Sequence, residues 1–322
     1  MTTHLERAVM LISIDTEMAW GAVHRGPPTR YHWPEERDVL RSLLDIFDEH
    51  DVPATWATVG HLFLEGCEQV EGHVHPEITR PDYAWREHDW FHEDPCGPAT
   101  EGSRWYAPDL VREILDRPTR HELASHGFSH LIVGDPGCSA EVFDSELVAA
   151  RAAAEPYGVQ LRSFVYPRNA IGHQELLPHH GYVAYRGVRR DPFSSEHGSP
   201  RPMWRLLDRV LPNHRSVVRP ILEGDLWNFP TTVMYGPDLR PGAAHSWQWQ
   251  LRRRLRHAAR HDGLFHIWFH PHNLQRDPDS ALRGLDRLCR LAAELRAQGR
   301  LETMTFGTLA DRLEPMRTEA TT

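Results

Sequence analysis

The chain has 322 residues, 40% hydrophobic and 25% charged, with a formal net charge of −9. That length buries a sizeable core, and the acidic balance argues against a dedicated nucleic-acid binder. All 36 basic residues are arginine, which excludes a Schiff-base lysine, a GK[ST] phosphate loop and a kinase-type lysine. The 23 histidines turn attention to metal and acid–base chemistry instead, because imidazole serves both near neutral pH. Cys67, Cys96, Cys138 and Cys289 are widely spaced, with no C-x-x-C pair. A thiol-based metal knot, a redox motif or a disulfide scaffold is therefore not expected. No apolar run reaches the roughly 18 residues of a membrane span. The opening residues lack the basic-then-apolar pattern of a signal peptide, so a cytoplasmic protein is expected. The oligomeric state is open.

Along the chain the pattern alternates between strand and helix. Residues 8–14 (AVMLISI) form a short continuous apolar run, the mark of a strand covered on both faces. Residues 37–50 carry apolar side chains at 39, 40, 43, 44 and 47, a helical spacing. A strand is predicted at 54–59, a helix at 109–116, a strand at 122–125 and a helix at 140–157 that stops at Gly158. A strand at 162–166 ends at Pro167. A short helix at 174–180, strands at 182–185 and 226–229, and a helix at 246–261 follow. Then come a strand at 264–269, a helix at 280–298 and a last strand at 302–306. About eight such alternations without a linker or repeat imply a parallel sheet in one domain spanning 1–322, closed as a barrel or open and doubly wound. Two stretches interrupt the rhythm, an aromatic one at about 67–108 and an irregular one at about 189–225. The basic stretch 252–260 reads as a solvated helix face, because Leu251 and Leu255 give that helix an apolar stripe.

Four constellations sit at predicted strand ends. In S-I-D-T-E (13–17), extended backbone puts Asp15 and Glu17 on one side and Thr16 on the other. One carboxylate suits a metal ligand and the other a general base. In H-E-L-A-S-H-G-F-S-H (121–130), His126 and His130 are spaced i, i+4, so a helix there would present both to one metal. In F-V-Y-P-R-N (164–169), Pro167 ends the strand and leaves Tyr166, Arg168 and Asn169 at the same edge. The Arg168 guanidinium there can hold a catalytic carboxylate through two parallel hydrogen bonds. In L-F-H-I-W-F-H-P-H-N (264–273), His266, Trp268 and His270 share a strand face, and His270 ends the strand. That place suits a general acid, with His272 beside it as a substrate contact. One carboxylate and two histidines leave positions open for water and substrate, as a hydrolytic metal centre requires.

In this order the motifs ISIDTE, ATWATVGH, HELASHGFSH, FVYPRN and WFHPHN resemble the polysaccharide deacetylase family over nearly the whole chain, about 9–306. The resemblance implies a distorted (β/α) barrel of about seven to eight parallel strands, and one divalent metal, most expectedly Zn2+. The reaction it implies is removal of an N-acetyl group from an amino sugar or its conjugate. It implies Asp15 as catalytic base, His126 and His130 as metal ligands and His270 as catalytic acid. Three departures stand out. Thr16 occupies the place of the family's second aspartate, which makes Glu17 the expected metal ligand. Val165 stands where an arginine usually precedes the proline, so Arg168 is expected to supply the guanidinium from a shifted position. The usual aspartate–tryptophan motif has only an echo in Asp225-Leu226-Trp227. Trp20, Trp105, Tyr166, Asn169 and His272 are the expected contacts to a small-molecule or oligosaccharide substrate. The family scaffold also serves hydrolases of cyclic imides, ureides and other non-sugar C–N bonds, and an inactive binding homologue is the lesser alternative.

Overall fold

The computed structural model describes residues 2–25, 33–187, 217–236 and 243–320. In chain order these form β1 (Ala8–Thr16), α1 (Trp33–His50), β2 (Thr55–Thr58), α2 (Pro108–Leu115), β3 (Glu122–Ser125), α3 (Ala140–Ala154), β4 (Ser163–Val165), α4 (Leu176–His179) and β5 (Ala184–Arg186). The second half holds β6 (Ile221–Glu223), β7 (Leu226–Asn228), β8 (Val233–Met234), α5 (Ala243–Arg260), β9 (Leu264–Phe269), α6 (Pro278–Ala297), β10 (Leu301–Met304) and α7 (Phe306–Ala320).

One ten-stranded sheet runs β6-β7-β5-β4-β3-β2-β1-β9-β8, with β10 also paired to β1. The β6–β7 pair is antiparallel, and all other named pairs among the described residues are parallel. The fold is thus the expected distorted α/β barrel, a curled, mostly parallel sheet in a single domain. β1 lies at its centre, and all nine of its residues are buried. Its two faces differ. Ala8, Met10, Ile12 and Ile14 join the core under the helices, whereas Val9 and Leu11 join a second core with Val165, Ala184, Trp227 and Phe306. That second face then turns polar at Ser13 and Asp15, toward the carboxyl end of the strand. This change of character along one face locates the site.

The helices start where local chemistry favours it. The Ser139 hydroxyl caps α3 by accepting from the Val142 amide at 3.2 Å. Asp277 does the same for α6 at Ser280, 3.2 Å, with Pro278 in the first turn. Three elements differ from expectation. β6 and β8 span three and two residues, too short for a periodicity to show. The last predicted strand ends at Met304, and Phe306 instead opens α7, whose start is capped by the Thr305 hydroxyl accepting from the Thr308 amide at 3.3 Å. Much of the irregular stretch expected at 189–225 lies outside the described residues.

The connection 64–107 has no helix or strand of its own, apart from isolated bridges at Gly66–Pro98 and Val70–His73. It is ordered by side chains. Arg37 of α1 donates to the carbonyls of Ser103 and Tyr106, both at 2.8 Å. Trp90 donates to the Ser129 carbonyl at 3.0 Å, and the Tyr83 hydroxyl to the Ile132 carbonyl at 3.2 Å. The connection therefore lies against the loop that carries His126 and His130. Among the described residues no helix is long and apolar enough to cross a membrane.

Candidate active site

The polar end of β1 supplies two carboxylates. Asp15 is paired with Ala57 of β2 in the sheet register, and Glu17 follows one residue past the strand. Both are buried. The Glu17 side chain lies against the backbone of Gly21, where a Cβ would meet Oε2 at 2.0 Å. Only glycine leaves that space.

The two histidines come from the loop after β3, not from a helix. The chain bends through Gly127 at φ +76° and His130 at φ +64°, and this brings the two imidazoles to a centroid separation of 5.0 Å. The buried carboxylate of Glu146, on α3, holds the bend. It accepts from the amides of Phe128 and Ser129 at 2.8 and 2.9 Å and from the Ser129 hydroxyl at 2.6 Å. The i, i+4 spacing thus works through a loop that a neighbouring helix clamps.

His126 Nε2 and His130 Nε2 each lie 3.1 Å from the same oxygen, Glu17 Oε1. On its other side, His126 Nδ1 lies 2.7 Å from the Val165 carbonyl. A neutral imidazole has one N–H, and here acceptors stand at both nitrogens. The proton belongs on Nδ1, toward the carbonyl, which leaves a lone pair on Nε2 facing a carboxylate oxygen. Burial lowers the His130 pKa despite the nearby Glu17 charge, which favours the neutral form of that ring. Two imidazole lone pairs and a carboxylate oxygen converging in a buried site suit a divalent cation, with the carbonyl orienting the ring from behind.

Beside this triad, His270 Nε2 lies 3.2 Å from Glu17 Oε1 and 3.5 Å from Asp15 Oδ2. Burial works against its charged form, but the two carboxylates outweigh it and push its pKa up to about 9. Asp15 is gripped by the Arg186 guanidinium at both oxygens, with Nη2 to Oδ2 at 2.7 Å. Burial again opposes ionisation, and Arg186 holds the Asp15 pKa below the ordinary value. The two groups are thus set apart, one an ionised carboxylate and the other a protonated imidazole. His266, deeper along β9, is structural. Its Nδ1 donates to the Phe229 carbonyl at 3.1 Å, its Nε2 meets the Ser13 hydroxyl at 2.9 Å, and burial lowers its pKa to about 3.

Several expectations are corrected. The guanidinium on Asp15 belongs to Arg186, at the end of β5, and not to Arg168. Arg168 is exposed, on a 3₁₀ turn at φ +55°, because Pro167 turns the chain before it reaches the site. Trp20, Trp105 and Tyr166 are core residues at 0%, 6% and 0% exposure, which leaves no open ring face for a ligand. Trp20 instead packs edge-on to Trp105 at 5.1 Å and donates to its carbonyl at 3.2 Å. Asn169 is half-buried and accepts from Arg186 at 3.3 Å. His272 stays at the rim, its ring 4.8 Å from that of His270.

Sequence reasoning passed over two other residues. Arg186 ends a strand that was predicted one residue too short. Glu36 falls on the apolar stripe of α1, in step with residues 39, 40, 43 and 47, a place where a carboxyl is unexpected. It is fully buried, neither oxygen has a hydrogen-bond partner, and burial together with the Glu17 charge pushes its pKa up to about 8. Trp268, noted only as a strand neighbour of His270, faces Arg186, whose guanidinium carbon lies 4.5 Å from its ring centroid.

The family model for polysaccharide deacetylase matches residues 26–177. Over that stretch, slightly less than half of the chain, the sequence is similar to the polysaccharide deacetylase family. The match includes His126 and His130, begins after Asp15 and Glu17, and ends before Arg186 and His270. No curated protein matches the sequence. Among solved structures, one described as a polysaccharide deacetylase from Mycobacterium smegmatis shares 14% identity at TM-score 0.59, covering 98% of this chain and 96% of that one. Another described so, from Pseudomonas aeruginosa PAO1, shares 10% identity at TM-score 0.58, with 95% and 91% coverage. The PuuE allantoinase shares 11% identity at TM-score 0.54, with 95% and 90% coverage. At such identities the likeness is one of fold. The chemistry of this chain therefore rests on its own residues.

Proposed function

We propose that this chain is a metal-dependent hydrolase that removes an N-acetyl group from an amino sugar or glycoconjugate. The observation that carries the reading is the convergence of His126 Nε2 and His130 Nε2 on Glu17 Oε1, in a chain similar over residues 26–177 to the polysaccharide deacetylase family, with Asp15 and His270 alongside. Glu17, His126 and His130 hold the cation, and zinc fits this donor set. When bound, it polarises the acyl carbonyl and lowers the pKa of a water molecule at the site. Asp15, fixed by Arg186, takes the proton of the attacking water. His270, kept protonated by its two carboxylate neighbours, gives a proton to the nitrogen as the C–N bond breaks. The new C–O bond leaves acetate, and the nitrogen leaves as the free amine. Val165 orients His126, and Glu146 orients the loop.

One observation favours a second substrate class. Trp20, Trp105 and Tyr166, expected as sugar contacts, are buried in the core, and the fold is shared with an allantoinase. A small cyclic imide, ureide or natural-product amide undergoes C–N hydrolysis by the same residues. In this reading, as in the first, residues 1–322 act as one catalytic domain, and the 67–108 stretch walls the site.

The test is product release by purified protein supplied with zinc, using N-acetylated amino sugars and their conjugates beside cyclic ureides and imides. Acetate release that is lost in His126→Ala supports the first reading. Ring opening without acetate release supports the second. Full activity in a metal-free His126→Ala, His130→Ala protein would sink the mechanism.

A further inference from the structure

A second group of metal-type donors lies apart from Glu17, His126 and His130. His61 sits on the 3₁₀ turn after β2, and Cys67, His75 and Asp94 come from the irregular connection 64–107. One donor atom from each of the four lies within 4.8 Å of all the others. We propose that His61, Cys67, His75 and Asp94 form a structural divalent-metal site of the zinc type, which fastens this connection to the barrel.

The spacing fits such an ion. His61 Nε2 and His75 Nε2 are 3.0 Å apart, and Asp94 Oδ2 lies 2.9 Å from the first and 3.6 Å from the second. Cys67 Sγ stands 4.0 Å from Asp94 Oδ2. Around a tetrahedral zinc with bonds of about 2.0–2.3 Å, donors stand roughly 3.3–3.8 Å apart. The observed separations fall on both sides of that value.

Hydrogen bonding alone does not account for the group. His61 Nδ1 lies 3.1 Å from the Trp105 carbonyl, and His75 Nδ1 lies 3.2 Å from Glu77 Oε1. Each contact takes the ring's one N–H and turns an Nε2 lone pair inward. Two lone pairs then face each other and share a carboxylate oxygen, in a place where His61 and Asp94 have fully buried side chains. An imidazolium would relieve this, at the cost of a charge in the interior. A cation relieves it at all three atoms, with Cys67 Sγ as the fourth donor. The supporting contacts are those expected behind metal ligands. Asp94 Oδ1 accepts from the Cys96 amide at 2.9 Å and from the Tyr106 hydroxyl at 3.3 Å, which leaves Oδ2 to the group. The Arg80 guanidinium fixes the backbone of His75 and Ile78, at 2.6 and 2.8 Å.

The position gives the ion its task. Most backbone hydrogen bonds in this stretch close short turns, with only some reaching across it, and a metal adds a constraint between segments far apart in the chain. The His61 ring lies tilted against Trp20 at 4.5 Å and edge-on to Phe128 at 5.5 Å. Its amide donates to the Phe128 carbonyl at 2.9 Å. The fastening therefore reaches the bend between His126 and His130 without sharing a ligand with it.

The experiment uses the full chain, purified under reducing conditions after growth with zinc, and then substituted with cobalt. Wild type should hold about two metal ions per chain, and His126→Ala about one. Cobalt-substituted wild type and His126→Ala should both show a sulfur-to-cobalt charge-transfer band in the near ultraviolet, since Glu17, His126 and His130 offer no thiolate. Cys67→Ser should lose that band and keep the ion bound by His126. A single ion in wild type with none in His126→Ala, no thiolate band, or Cys67 joined to Cys96 in a disulfide would overturn the proposal. The wild-type and His126→Ala spectra decide the matter even if Cys67→Ser fails to fold.

Discussion

The two histidine clusters of this molecule share one device and differ in what surrounds it. In each, a buried imidazole has a backbone carbonyl at Nδ1 and a carboxylate at Nε2, through Val165 and Glu17 for His126 and through Trp105 and Asp94 for His61. Around Glu17, the donor set stops at three residues, and the next groups out are an acid–base pair. One of that pair, His270, keeps 20% of its side chain exposed. The second cluster adds a fourth donor, Cys67, and both Asp94 and His61 have side chains with no exposure. In the proposed assignments, three ligands with an open flank serve reaction, and four, of which all but the half-buried Cys67 are buried, serve structure. The same local chemistry is thus directed by what the fold leaves open.

The largest effect that can break this contrast is expected from His126→Ala. Acetate release should fall by at least about a thousandfold, several kcal/mol of barrier, while the His61 cluster keeps its ion. Loss of both ions together would mean that the two sites are one cooperative unit. Next, His270→Asn should lower kcat by about 10²–10⁴ with metal content unchanged, because His270 is assigned to proton transfer. Loss of metal in that variant would move His270 into the ligand set.

Glu36 sharpens the contrast through stability, since it feels Glu17 and has no counterpart in the second cluster. Its folded pKa is raised from the ordinary 4.5 to about 8, so the folded state holds this proton more tightly than the unfolded chain does. The stability that follows is complete below about pH 4.5 and is lost as the pH rises through about 8. Glu36→Gln keeps the neutral shape and removes that loss. Its stability relative to wild type should rise by about 3 kcal/mol between about pH 5 and pH 8 in denaturant titrations. A difference that stays flat with pH would show a Glu36 that is ionised and paired. The smallest effect is expected from Arg186→Lys, about 10–100-fold in kcat/KM, because one ammonium cannot grip both oxygens of Asp15. The Asp15 pKa should then rise, and the acidic limb of the pH profile should move to higher pH.

Much of this was legible in the sequence, for identifiable reasons. β1 was visible because a strand buried on both faces is a continuous apolar run, and Asp15 and Glu17 followed from the two-residue period of extended chain. His126 and His130 were visible as a spacing, although the expected helix is a loop bent at Gly127 and held by Glu146. Such a clamp comes from a residue of another element and leaves no local pattern. Arg168 stands out in the sequence because it follows a proline in a motif, whereas Arg186 stands in no motif, and it is the parallel pairing of β4 with β5 that carries Arg186 to Asp15. The aromatic residues differ from expectation for the opposite reason. Aromatic residues near a strand end or in a polar stretch look like a binding surface, whereas Trp20 and Trp105 pack against each other to join the connection 64–107 to the barrel. The second cluster was illegible because its four residues are spread over 61–94 without a metal-ligand spacing.

The most direct measurement is an anomalous difference map at the zinc edge from crystals of the zinc-loaded protein. The expected result is a peak within bonding distance, about 2.0–2.2 Å, of Glu17 Oε1, His126 Nε2 and His130 Nε2, with Asp15 outside the coordination sphere and still held by Arg186. No peak there, or a peak bound by Asp15 in place of Glu17, would contradict the assignment of ligand and base.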